Sequence, residues 1–456
     1  MYTQNTRTHK TLMPQIIWEL VYSSYRRAAE HLHGPDALTR NLDYSRELFA
    51  LLGIDFHLWP RVNVTGSKGK GSTSVLIASI VQASGQRVGL ISSPEMRRFN
   101  ERIRIDGQCV ADDVLLAAAY TIAPAVRSII SRLTPPQYLG PGGVILALGA
   151  TIFAREQVSA LVVEAGRGGE YDEARLIEAD VSVLTPVMLE HADKLGATVQ
   201  DIARTKAAIT APGSPIVTAP QTREVQTVIE SLGKNLGSRV FSVASAARID
   251  PLVHDLQGVH CDIQIQDQSY RDLHIPLPGR HQAENAAAAI LVGRLLARQG
   301  VLCTPESVSL GLQRVRWPGR AQVLQQRPRV LLDGAINRES AAAICELLQQ
   351  HPARHRIALV CVPRPKDLDG LCARIAPFVE KIVVTQVPAP NLRWYEDAAA
   401  IAARHCSNVV EVRQTEEALH TVLKEAGPDD DVLLLGTQSF LGAALHFWDV
   451  DTCAIW

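Results

Sequence analysis

The sequence lacks any imbalance of charge: 46 Lys and Arg stand against 47 Asp and Glu, a formal charge of -1. No global field draws it to nucleic acid or to an anionic membrane, and a local basic patch is all that such a role is left. It also lacks a long hydrophobic run. The longest apolar stretches, such as 144–152, fall far short of the ~20 residues that span a bilayer. The opening MYTQNTRTHKTLM has no apolar core of the kind a secretory signal carries. Its eight cysteines (109, 261, 303, 345, 361, 372, 406 and 453) form no CxxC pair, which argues against a zinc cage and suits a reducing compartment. There is no internal repeat, low-complexity tract or heptad run. What remains is a cytoplasmic globular protein without nucleic-acid or membrane partners, and 456 residues predict two or three domains.

Short Val/Ile/Leu runs at 62–65, 88–91, 160–164, 181–185 and 216–218 alternate with helical patterns at 72–84, 112–133 and 199–211. That alternation predicts βαβ units around a parallel sheet covered on both faces. The stretch 259–275 alternates apolar and polar residues, as a half-exposed antiparallel pair does. A second series of strands follows at 330–333, 357–362, 382–385, 409–412 and 432–435. Between the two series stands Trp317-Pro318-Gly319-Arg320, which sets an N-terminal domain at 1–315, a hinge at 316–320 and a C-terminal domain at 321–456. Residues 15–32 read as an amphipathic helix on the first domain. Two α/β domains on a short hinge invite a ligand between them.

The strongest local signal is Val64-Thr65-Gly66-Ser67-Lys68-Gly69-Lys70-Gly71-Ser72-Thr73, after a strand and before a helix. Glycines let the backbone curl so that N–H groups face phosphate oxygens at the positive end of a helix. Lys70 would then reach the β- and γ-phosphates, and the Ser72 hydroxyl a magnesium ion. The spacing departs from GxxxxGK[ST], because Gly71 separates lysine from serine. A flexible Gly/Lys surface turn is the competing reading.

GxxGKGS resembles the phosphate loop of the folylpolyglutamate synthase/dihydrofolate synthase branch of the Mur ligase superfamily. The resemblance continues, in order, through Ser92-Ser93-Pro94 with Phe99-Asn100-Glu101-Arg102-Ile103, then Glu164-Ala165-Gly166-Arg167-Gly168-Gly169 with Asp172. Leu189-Glu190-His191-Ala192-Asp193, Leu195-Gly196 and Ile202-Ala203-Arg204-Thr205-Lys206-Ala207 follow. His281-Gln282 with Asn285, Pro318-Gly319-Arg320 and Asp333-Gly334-Ala335-Ile336-Asn337 complete it. The implied fold is a P-loop-containing parallel-sheet ATPase domain with a second, smaller Rossmann-like α/β domain. The implied activity is an ATP-dependent, ADP-forming amide-bond ligase working through an acyl phosphate, with glutamate on a pteroate or folate as the leading case. Its partners would be a small-molecule acid and an amino acid, and the family's default state is a monomer.

The resemblance also implies residue roles. Gly66, Ser67, Lys68, Gly69, Lys70, Gly71, Ser72 and Thr73 would cradle the phosphates of ATP, with Gln282 and Asn285 at the adenine and Arg320 and Asp333 arriving from the second domain. Two magnesium sites would draw on Ser72, Ser93, Glu164 and His191. Lys70, His191, Lys206 and Arg320 would serve catalysis, with Lys206 carbamylated. Taken alone, these residues have plainer readings. Glu164 is a strand-end carboxylate paired with a lysine, and His191 a structural histidine. Lys206 is a solvated helix lysine, and Gln282 and Asn285 are helix caps, as is the 436–439 loop.

Four departures from the family pattern touch substrate-facing segments. Ser67-Lys68 replaces Thr-Asn and adds a charge; Glu95 replaces a histidine, a change that would either repel an anionic acceptor or favour a cationic one. Glu170 replaces an arginine, and Ile336 replaces the histidine of DGAHN and cannot donate to a phosphate; Arg338 follows Asn337 where the family has proline. Two alternatives therefore stand beside the folate reading: a related ligase acting on another carboxylic acid, and a non-catalytic nucleotide-binding partner.

Overall fold

Runs of Val, Ile and Leu with no polar alternation have no face to give to solvent, and in the computed structural model they lie inside. The structure describes residues 5–389 and 392–456, with side chains from residue 14; most of the N-terminal stretch read for a targeting signal falls outside that side-chain range. β1 (Arg61–Thr65), β2 (Val88–Ile91), β5 (Ala160–Glu164), β6 (Val181–Leu184) and β7 (Ile216–Thr218) are buried at every residue. With β3 (Ile103–Ile105), β4 (Gln108–Cys109) and β8 (Val240–Ser242) they form one sheet in the order β4-β3-β2-β5-β1-β6-β7-β8. The β3 and β4 pairings are antiparallel and the others parallel. β1 therefore stands at the switch point of strand order, where α/β sheets open a crevice at their carboxyl ends.

Helices cover both faces. On one, Lys70–Ala83 lies under His281–Leu295 and Pro305–Gln313. Ala283 and Ala286 to Ala289 are all buried there, so His281–Leu295 has no exposed stripe and sits between neighbours as an inner helix. On the other face, the N-terminal helix Asn5–Ala28 packs on Asp112–Ile130 and Pro141–Arg155. Asp112–Ile130 is long and apolar enough by composition to cross a membrane, which the search for unbroken apolar runs does not detect. It buries Leu115, Ala118, Ile122, Val126 and Ile129 in the core beside Ile17 and Val21.

The expected antiparallel pair is a three-stranded sheet of β9 (Ala247–Asp255), β10 (Gly258–Ile265) and β11 (Gln268–Ile275), with β10 central. β9 escapes a period-two reading because Pro251 and its neighbours are mostly exposed.

The C-terminal domain is a sheet of β12 (Gln322–Gln326), β13 (Arg329–Asp333), β14 (Arg356–Cys361), β15 (Lys381–Gln386), β16 (Val409–Gln414) and β17 (Asp431–Gly436), ordered β12-β13-β17-β14-β15-β16. Only the β12 pairing is antiparallel. Asp431, 2% exposed, accepts from Arg329 on β13 and Arg356 on β14, at 2.8 and 3.0 Å. A buried carboxylate held by two guanidiniums ties three adjacent strands. The chain then doubles back. Ile455 is fully buried in the core of the first domain, and its N–H donates to Gly107 O at 3.0 Å.

Candidate functional site

Strand register builds the phosphate loop. Thr65 at the end of β1 pairs with Leu184 on β6, so the next residues, Gly66 and Thr185, meet. Gly66 has φ 138°, and a Cβ there would lie 2.0 Å from Thr185 Oγ1, so only glycine fits. Ser67 turns inward: its N–H donates to Pro186 O at 2.9 Å and its hydroxyl accepts from Met188 N at 3.0 Å. That moors the loop to the segment after β6. Gly69, at φ 85°, starts the helix Lys70–Ala83 without a side-chain cap, leaving first-turn N–H groups for an anion. The extra glycine has a local cause. A Cβ on Gly71 would sit 3.0 Å from the Trp317 indole, so the segment between the two sheets presses against the loop there. Lys70 Nζ donates back to Gly66 O at 3.0 Å. Ser72 is buried, and Thr73 Oγ1 is a buried hydroxyl without a partner among the described residues.

Glu164 ends β5 beside this loop, and the β2–β5 register brings Ser93 to it: Ser93 N donates to Glu164 Oε2 at 3.1 Å. Burial raises the Glu164 pKa, while Lys70, the Ser93 N–H, Arg320 and Arg102 oppose that rise. Lys206 is not the solvated lysine that periodicity allows. It is 0% exposed, and its Nζ donates to Gly66 O at 2.9 Å, Arg167 O at 2.8 Å and Glu190 Oε1 at 3.3 Å. Burial, then the nearby Lys70, pushes its pKa down to about 8, against the pull of Glu190. Burial raises Glu190 as well, but Lys206, Lys70 and His191 outweigh it and hold the carboxylate low. His191 takes a left-handed φ of 50° at the start of the short helix Ala192–Leu195. Desolvation, with Lys366, Arg167 and Lys206, depresses its pKa against Glu190 and keeps the ring neutral. Its charged neighbours are these, and no described contact joins it to Glu164 or Ser93.

The remaining residues arrive from later in the chain. Asn285 and Gln282 are buried and joined by a 2.9 Å hydrogen bond, Nδ2 to Oε1. Their helix begins at Arg280 with no side-chain cap, so capping does not describe them. Instead Asn285 Oδ1 lies 3.3 Å from where a Gly69 Cβ would stand. Arg320 donates to Gly319 O at 2.9 Å, and its guanidinium is a charged neighbour of Glu164, Asp333 and Lys68. Asp333, at the end of β13, accepts from Ala321 N at 2.8 Å and so fastens the residue after Arg320. The 436–439 loop starts the helix Gln438–Phe447, but Thr437 makes no cap bond and its hydroxyl is unpaired among the described residues; the capping reading is corrected there.

The substitutions look different in three dimensions. Glu95 is ion-paired with Arg102, which neutralises it. Ile336 packs on the core of the second domain and does not stand as a missing donor in open space. Beside Glu170, the guanidinium near Asp172 comes from Arg40, 3.7 Å away. Sequence reading misses three contributors. Glu190 sits inside a matched motif, Trp317 is read only as punctuation, and Lys366, in the loop after β14, neighbours both Lys68 and His191. The one signal for Lys366 is its place beyond the carboxyl end of a parallel strand.

The donor set fits a magnesium nucleotide. Lys68, Lys70 and Arg320 lie around the open first-turn N–H groups of the helix Lys70–Ala83, and Ser72 and Glu164 offer the hard oxygens that magnesium takes alongside phosphate. Among the described residues no cluster of three or more His, Cys, Asp or Glu forms a closed metal cage.

Comparison with known proteins agrees. Residues 145–293 match the Mur ligase middle domain, and residues 319–438 match the Mur ligase glutamate ligase domain. The chain is 31% identical to the folylpolyglutamate synthase of Lacticaseibacillus casei, over 93% of this chain and 98% of that one. It is 28% identical to the dihydrofolate synthase/folylpolyglutamate synthase of Bacillus subtilis, over 92% and 98%. The crystal structure of Mycobacterium tuberculosis folylpolyglutamate synthase with ADP and AMPPCP superposes with a TM-score of 0.83 at 27% identity, covering 95% and 99% of the two chains.

Proposed function

The chain belongs to the folylpolyglutamate synthase/dihydrofolate synthase family of Mur ligases, and from that premise we propose that it joins L-glutamate to a pteroate or folate at the expense of ATP. The acid's carboxylate attacks the γ-phosphorus, giving an acyl phosphate and ADP. The glutamate amine then attacks the carbonyl carbon, loses a proton, and inorganic phosphate leaves. Such chemistry asks the protein for alignment and for charge neutralisation more than for covalent help.

The observation that carries the reading is the double lysine on one carbonyl. Lys70 and Lys206 both donate to Gly66 O, so a bound γ-phosphate and the buried Lys206 share one rigid loop. In this reading the loop N–H groups, Lys70 and Thr73 hold the phosphates, with Lys68 and Arg320 adding charge. Gln282 and Asn285 meet the adenine, and Asp333 aims Arg320 through its bond to Ala321. Ser72, Ser93, Glu164 and His191 are the residues that would hold magnesium. Magnesium would neutralise the charge that develops on the transferring phosphoryl group. Lys206 is buried and close to half neutral near pH 8, the state from which a lysine takes up CO2. We propose its carbamylation on that ground, a hinge at 316–320, and a monomeric, cytoplasmic enzyme.

The test offers ATP, magnesium and glutamate with dihydropteroate and reduced folates in separate reactions, read by product mass and phosphate release. A glutamyl adduct with stoichiometric ADP supports the reading, and Glu164→Ala abolishes it. ADP formation only with some other acid would replace the folate assignment, and ATP binding without turnover would replace the enzyme with a nucleotide-binding partner. Carbamylation is read separately, as a bicarbonate-dependent carbon-13 carbamate signal lost in Lys206→Met.

A further inference from the structure

The C-terminal residues 449–456 leave the second domain and run back over the first. Arg97 holds Val450 O, and Arg104 Nη2 donates to Thr452 O at 2.9 Å. The Thr452 hydroxyl donates to Glu101 Oε1 at 2.6 Å. Further on, Cys109 N donates to Cys453 O at 3.2 Å and Arg316 N to Ile455 O at 2.7 Å. This strap therefore lies against the hinge, and the domains are joined twice.

Gln108 pairs antiparallel with Ala454, which sets Cys109 directly across from Cys453. Opposed residues in such a ladder stand about 4.5–5.5 Å apart at Cα, within the roughly 4.4–6.8 Å that a disulfide spans. Both cysteines are free and only half-buried. The Cys109 thiol and the Arg98 guanidinium are the groups that most influence the Cys453 sulfur. The Cys109 thiol and then Arg98 lower the Cys453 pKa, while the same contact raises that of Cys109. One sulfur is thus the readier nucleophile and the other a nearby proton-bearing partner. Cys261, Cys345, Cys361, Cys372 and Cys406 are buried.

We propose that Cys109 and Cys453 form a reversible disulfide latch that fastens the strap to the first domain and restrains movement between the domains. A low-molecular-weight disulfide such as glutathione disulfide supplies the oxidant. The Cys453 thiolate attacks one of its sulfurs and expels a thiolate. Cys109 then gives up its proton and attacks the mixed disulfide, expelling the second thiol. Two protein thiols are oxidised and one small disulfide becomes two thiols. In the reduced protein the strap is held by hydrogen bonds that can open one at a time; the cross-link removes that freedom beside the hinge on which closure turns.

The experiment incubates the full chain with graded glutathione disulfide and maps linked peptides by mass. Hydrogen exchange is followed at 316–320 and 449–456, and ATP-dependent turnover is assayed in parallel. The first two readouts are independent of the reaction proposed above. A Cys109–Cys453 linkage forming ahead of others, slower exchange in both segments, and turnover falling about tenfold and returning with dithiothreitol are expected. Cys109→Ser and Cys453→Ser should each keep full turnover under oxidation, and Cys453→Ala serves if the serine disturbs folding. Glutathionylation of Cys453 without cross-linking overturns the latch, as does a cross-link that changes neither exchange nor turnover.

Discussion

Replacing Lys206 with methionine keeps the length of a fully buried side chain and removes its charge. The ordinary lysine value of 10.5 holds in the unfolded chain, whereas the folded value is about 8. Because the folded value is depressed, the unfolded chain carries the proton between those two pH values and the folded one does not. Unfolding takes up a proton there, so stability rises with pH through that window. At about 1.4 kcal/mol per pH unit, the rise amounts to about 3 kcal/mol between pH 8 and 10.5. Below pH 8 the protonated form instead carries a desolvation cost that its three acceptors partly offset. Lys206→Met leaves Gly66 O with Lys70 but orphans Arg167 O, a loss of about 1–3 kcal/mol. Urea unfolding of both proteins from pH 7 to 10.5, without nucleotide and in CO2-free buffer, compares the two pH profiles directly. The wild-type curve should climb away from the variant by about 3 kcal/mol. Parallel curves would refute a buried, depressed lysine at this position.

Glu101 accepts from Met96 N, Arg97 N, Arg98 N and the Thr452 hydroxyl while 2% exposed, so Glu101→Ala takes the acceptor from one buried and three part-buried donors. A loss of about 3–5 kcal/mol in denaturant unfolding is expected, against well under 1 kcal/mol if the loop is held by other means. Asp333→Ala removes the bond to Ala321 N and should lower kcat with little effect on the KM for ATP, whereas Asp333→Asn, which keeps an acceptor, should recover much of the rate. Equal loss in both variants would argue for the carboxylate charge itself. A Cβ on Gly442 would sit 2.0 Å from Met96 O across the domain interface, so Gly442→Ala should separate the domains and quicken proteolysis near 316–320. Unchanged cleavage would show that the interface yields elsewhere.

Part of the site is legible because it is local. The phosphate loop needs glycine at particular backbone angles, and Gly66 and Gly69 carry that requirement in their identity. β1, β5 and β6 announce themselves because strands buried on both faces admit no polar alternation. Lys206 shows the limit. Helical periodicity places it among polar neighbours, and its burial comes from Gly66, Arg167 and Glu190, which lie far from it in sequence. Ile336 shows it in the opposite direction, since a lost donor by composition proves to be a packing residue.

The sequence by itself determined the alternation of strands and helices, the glycine-dependent loop and the family. Each is written in spacing and residue type over short spans, where backbone sterics and burial leave few choices. Tertiary structure alone decided that Trp317 lies on Gly71, that Arg102 cancels Glu95, that Asp333 clamps Ala321, and that the last residues return to face Cys109. Those contacts join residues whose separation runs from 7 for Glu95 and Arg102 to hundreds for Cys109 and the last residues. Their partners are chosen by sheet order and domain packing, which no local pattern encodes.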